Sequence, residues 1–222
     1  MNTQVKYLEI LEQIKSHKNG DVSISMAQMG IIYGVNYGVS VPELKAIAEA
    51  FKYDHELALL LFEQDIRECK ILATLVDDPK EVTGEQMDLW SQSFVNHEIV
   101  EQVSGNLFWK TECALSRSIE WCLCSDELMQ KAGMIIAARK ATDMEVKDSV
   151  FDPYIEIIDN FEDKQMSQNK VAVAYLLRQI ALRNENFKSK VSALAQRMSD
   201  SNDENRAWVG SNLLYELEEV ED

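Results

Sequence analysis

Residues 154–198 read YIEIIDNFEDKQMSQNKVAVAYLLRQIALRNENFKSKVSALAQRM, and their apolar positions fall into three stripes. Tyr154, Ile157, Ile158 and Phe161 make the first; Val173, Leu176, Leu177 and Ile180 the second; Val191, Leu194, Ala195 and Met198 the third. Each repeats the spacing i, i+3, i+4, i+7, which sets four side chains on one face of an α-helix. Outward from this stretch the pattern continues. Leu44, Ile47, Ala48 and Phe51 follow Pro42, a residue favoured at a helix start. Met87, Trp90 and Phe94 follow Thr83-Gly-Glu-Gln86, which reads as a capping box, and Val209, Leu213 and Leu217 close the series. Three prolines and eight glycines in 222 residues leave too few turn residues for a sandwich or barrel. Ile31-Ile-Tyr-Gly-Val35 is too short to stand as a strand.

Roughly a dozen helices with turns every 15 to 20 residues are expected. The period predicts an all-α chain of stacked helix pairs, an α-α superhelix or solenoid of the HEAT or ARM type. A single domain over 1–222 is expected, with residues 218–222 as a frayed acidic tail.

Net charge bears first on function. At −16 the surface repels phosphate on average, so protein or a small molecule is the default partner unless cations are concentrated locally. One segment is so concentrated. Lys164, Lys170, Arg178, Arg183, Lys188, Lys190 and Arg197 face only Glu185 between residues 164 and 197. Arg178, Arg183 and Lys188 are the residues expected to contact phosphate if duplex DNA is bound through this segment.

The opening Met1-Asn-Thr-Gln4 has no basic region leading into an apolar run, and the longest apolar run, Leu57-Ala-Leu-Leu-Leu-Phe62, is far too short to span a bilayer. A cytoplasmic protein with no membrane partner is expected. Cys69, Cys113, Cys122 and Cys124 then read as reduced, small apolar residues. Cys122-Leu-Cys124 lacks the spacing of a zinc or redox motif, and His17, His55 and His97 do not cluster with it, so no metal and no cofactor is expected.

Tyr37-Gly-Val-Ser-Val-Pro-Glu-Leu-Lys-Ala-Ile-Ala48 resembles the opening of the AlkD family of DNA alkylation repair proteins. Three further stretches resemble that family in order: Arg67-Glu-Cys-Lys-Ile-Leu-Ala73, Ile119-Glu-Trp121 through Lys131-Ala-Gly-Met-Ile-Ile136, and Val171 to Arg178. Together they cover roughly residues 35 to 185. The resemblance implies a HEAT-like solenoid holding duplex DNA on its concave face, and a glycosylase that removes cationic N3- or N7-alkylpurines. It places the catalytic carboxylate on Glu101 of His97-Glu-Ile-Val-Glu101, and nucleotide contacts on His97, Lys131 and Tyr175. Where the family has aspartate, tryptophan, arginine and tryptophan, this chain has Glu101, His97, Lys131 and Tyr175. Each keeps part of the chemistry, since cleavage of a glycosidic bond passes through an oxocarbenium-like state that a carboxylate and ring faces stabilise.

Two readings stand. One is an alkylpurine DNA glycosylase; the other is a non-catalytic HEAT-like binding module for a protein or a structured nucleic acid. Trp90 and Trp121 fit core stripes, whereas Trp109, beside Lys110, is the tryptophan expected at a binding surface.

Overall fold

The computed structural model describes residues 2–218, so most of the expected acidic tail, residues 219–222, lies outside the described residues. Thirteen α-helices and three single 3-10 turns make up the regular structure among them. Among the described residues the only extended pairing is one bridge, in which Val35 N–H donates to Asp65 O (3.0 Å) and Arg67 N–H to Val35 O (2.9 Å). This is the all-α architecture the stripes predict.

The chain divides into two compact units, Met1–Cys113 and Ala114–Asp222. The first holds α1 (Thr3–Ser16), α2 (Gly20–Gln28), α3 (Val41–Ala48), α4 (His55–Phe62), α5 (Arg67–Val76), α6 (Gly84–Ser91) and α7 (His97–Asn106), with 3-10 turns at Glu49–Phe51 and Phe108–Lys110. Helix α5 is its centre, packed against α3, α4 and α7. Ile71 and Leu72 are fully buried there, and Phe62 stacks flat on Trp90 with ring centroids 3.8 Å apart. Pro42 sits in the first turn of α3 as expected, and Ser40 and Glu43 cap that helix reciprocally. The box expected at Thr83 is only half made. Thr83 accepts from Gln86 N–H, but the Gln86 side chain turns away to Asp77 (2.8 Å), whose buried carboxylate also takes His55 Nδ1 (2.7 Å). A buried acid outbids a surface cap, because its unmet acceptors cost more in a dry site than an open N-terminal N–H costs in water.

The second unit holds α8 (Ala114–Leu123), α9 (Glu127–Ala141), a 3-10 turn at Asp148–Val150, α10 (Asp152–Asp159), α11 (Asp163–Ala181), α12 (Glu185–Ser199) and α13 (Glu204–Glu218). Helices α9 and α13 both pack on α11, and α8 on α9. The stripe Val173, Leu176, Leu177 and Ile180 is completely buried in this core. Contact between α8 and α9 is close enough that a Cβ on Gly133 would lie 2.6 Å from Ser118 O. Ser118 Oγ donates to Gly133 O (2.7 Å) and accepts from the buried Tyr154 hydroxyl (3.0 Å), which fixes the register of the pair.

No helix among the described residues is long and apolar enough to cross a membrane. The four cysteines are unbonded, and no cluster of three or more His, Cys, Asp or Glu side chains could hold a metal ion among the described residues.

Candidate nucleic-acid interface

In the first unit, Asn96 caps α7 by accepting from Ile99 N–H (3.1 Å) and is itself fixed by donating to Ile32 O (3.0 Å). His97 therefore opens the helix in the exposed first turn, and Glu101 lies one turn on, exposed, on the same face. Glu98 between them has another task. Its side chain is 14% exposed and takes a two-pronged ion pair from Arg67, Nε to Oε2 at 2.8 Å and Nη2 to Oε1 at 2.6 Å. Tyr33 adds its hydroxyl to Oε2 at 2.9 Å, and burial together with the Glu98 charge holds that phenol firmly protonated. Arg67 spends its remaining nitrogen on Val39 O (2.8 Å) and Glu68 (3.1 Å). Glu68 in turn accepts Tyr37 N–H and Val39 N–H, both at 3.2 Å.

This network was not foreseen. It joins the Tyr37–Ala48 stretch, the Arg67-Glu68 pair and the His97–Glu101 stretch through buried charge. The signal for it lay in the sequence as Arg67 and Glu68 standing directly before the apolar Cys69, Ile71 and Leu72, a place where ionised residues survive only when paired.

In the second unit, Lys131 is half-buried on α9, two residues before the tight Gly133 contact. Tyr175 lies half-buried at the edge of the α11 stripe, and Arg178 follows three positions later on the same face. Both line a groove of about 570 Å3 with Val171, Trp208, Asn212 and Glu216. Arg178 Nε is 3.0 Å from Glu216 Oε2. Trp208 is 41% exposed, and the Lys170 ammonium lies 5.3 Å from its ring centre while donating to Asn205 (3.2 Å). Trp208 is a groove residue that the sequence reading did not single out, and Lys170, known there only as one of the seven cations, lies against its ring. Trp208 precedes Val209 and so stands off the Val209, Leu213 and Leu217 stripe, which needs no tryptophan beside it.

Of the phosphate contacts expected of the 164–197 segment, Arg183 is buried among other partners, whereas Arg178 stays at the groove. Arg183 has a side chain only 2% exposed, with Nε on Asp148 (2.8 Å), Nη1 on Ala141 O (2.8 Å) and Asp143 O (2.9 Å), Nη2 on Val146 O (2.6 Å), and its plane over Phe151. Four of its five N–H groups thus pin the loop after α9, and the buried side chain is turned away from solvent phosphate. Lys190 pairs with Asp152 (2.6 Å) and Arg197 with Asp159 (2.8 Å). Four of the seven cations, counting Arg178 with Glu216, thus meet carboxylates that lie 35 to 38 positions away in sequence. Lys188 is half-buried on α12. His97 and Glu101 share α7 in Met1–Cys113, Tyr175 and Arg178 share the groove in Ala114–Asp222, and Lys131 stands apart from that groove on α9.

Among solved structures, one is similar over 99% of this chain and 95% of its own, with a TM-score of 0.81 at 16% identity. It represents a new family of proteins related to the HEAT-like repeat DNA glycosylases with affinity for branched DNA structures. No curated protein matches this chain. Residues 10–206 match the family of DNA alkylation repair enzymes, spanning every element from α1 to the start of α13. The chain belongs to the DNA alkylation repair enzyme family, in its HEAT-like all-α form.

Proposed function

We propose that this chain binds DNA at branched or otherwise unpaired positions, and that it does so without excising alkylated purines. The observation that carries the reading is the α11–α13 groove, where Tyr175 and Trp208 present ring surface beside Lys170 and Arg178. Ring faces stack on any base at about 1–3 kcal/mol each, and the bases at a branch have already lost part of the stacking that a closed duplex would have to give up. Phosphate arriving at Arg178 exchanges for Glu216, a half-exposed partner worth little in water. The similar solved structure, whose protein has affinity for branched DNA, supports the same reading. A cytoplasmic location accords with it.

The glycosylase alternative asks Glu101 to stabilise a developing positive charge. That contribution is large only from a fixed carboxylate in a water-excluded site, and Glu101 is exposed on α7. Glu98, the carboxylate that is held rigidly, already neutralises Arg67.

A three-way junction carrying 2-aminopurine beside the branch tests the stacking directly. Binding is expected to quench its fluorescence, and the quench is expected to be lost in the Tyr175→Leu, Trp208→Leu double variant, which keeps apolar packing without the π-faces. Full quenching by that variant would overturn the reading.

A further inference from the structure

The first unit holds a separate cavity of about 470 Å3, between α3, the end of α5 and the Phe108–Lys110 turn after α7. Lys45, Lys52, Lys110, Tyr53, Trp109 and Asn106 line it. We propose that this cavity binds an aromatic phosphate of mononucleotide size, either a free nucleotide or the phosphorylated terminal nucleotide of a DNA strand.

Charge supports the phosphate. Three lysines converge on one cavity in a chain of net charge −16. Its wall holds two acids: Glu49 pairs with one of these lysines, Lys52 (2.7 Å), and Asp77 takes His55 and Gln86, so the lysines still outnumber the acids. Cations held close together in a partly enclosed wall attract a dianion far better than scattered surface lysines do. The volume lies within the range of small-molecule sites.

Two aromatic side chains support the ring. Tyr53 is the one non-glycine residue with positive φ among those described, +61°, and the residue, which lines the cavity, is 71% exposed. A tyrosine carries a steric penalty in that conformation that glycine does not, so the turn keeps a strained and largely exposed residue. Trp109 contributes an indole with the Lys110 ammonium 5.7 Å from its ring centre. Its Nε1–H is buried and makes no hydrogen bond within the chain.

Calorimetric titration of the full chain with dAMP, deoxyadenosine and inorganic phosphate tests the assignment. Saturable dAMP binding is expected, with deoxyadenosine and phosphate each weaker by roughly tenfold or more, because each supplies half of the recognition. Lys110→Gln is expected to weaken dAMP roughly three- to tenfold. Tyr53→Gly is the decisive variant, since it relieves the backbone and removes the ring: thermal stability should hold or rise while dAMP affinity falls. Absence of dAMP binding, or affinity unchanged in both variants, overturns the inference, and does so without touching junction binding at α11–α13. A 5′-phosphorylated single strand that binds tighter than dAMP, and tighter than its 5′-hydroxyl counterpart, would support a DNA end as the source. Preference for dAMP over both strands would support a free nucleotide.

Discussion

Arg67 and Arg183 are both buried guanidiniums, yet one neutralises carboxylates and the other binds a loop. Arg67 stands between Glu68 and Glu98, so Arg67→Met strands two buried acids, and a loss of about 3–5 kcal/mol is expected in urea unfolding. Arg183 holds three carbonyls and Asp148. Arg183→Gln is expected to cost about 2–4 kcal/mol through those unmet acceptors, leaving the salt dependence of DNA binding unchanged. A flattened salt dependence with unchanged stability would restore Arg183 to phosphate. Cys69 tests burial by pH. Burial first, and the neighbouring Glu68 second, push its thiol up to about 12. The unfolded thiol ionises near about 8.5, so stability contributed by the neutral form is complete below that pH and is lost as pH rises towards 12. Iodoacetamide at about pH 8 should accordingly leave Cys69 unmodified until the chain unfolds. At Glu101, release of N7-methylguanine from methylated duplex is expected to be undetectable for wild type and Glu101→Gln alike. Robust wild-type release abolished by that change would instead establish the enzyme.

At the scale of elements, α8 and α9 are fixed by Gly133, and Gly133→Ala forces a Cβ against Ser118 O. The pair has to separate, so the variant is expected to melt several degrees lower, with α11 losing part of its α9 support. The helices themselves were legible in sequence because periodicity records burial: Leu176 and Leu177 stand in the stripe and in the core. Where side chains act across elements, sequence was a poor guide. Lys190 and Arg197 look like free cations only because Asp152 and Asp159 lie on another helix, α10. Gln86 looks like a cap because Asp77, its stronger partner, precedes the helix by several positions. Tyr175 is legible through resemblance alone, while its companion at the groove, Trp208, belongs to no motif, and Lys170 shows in sequence only as one of the seven cations.

For the whole molecule, net charge −16 sets a long-range repulsion that a handful of uncommitted cations must overcome. With so many basic residues committed to carboxylates, only about two or three phosphate contacts are expected, giving log K against log salt a slope of about −2 to −3. Affinity then has to come chiefly from stacking, which salt does not screen. The most direct test is equilibrium binding of the full chain to a three-way junction and to linear duplex of equal length, at about 50 and 200 mM salt. Preference for the junction by roughly tenfold or more, widening in relative importance at the higher salt and absent from the Tyr175→Leu, Trp208→Leu variant, is the predicted result. Equal affinity for junction and duplex, or a junction preference that the double variant retains, would contradict it.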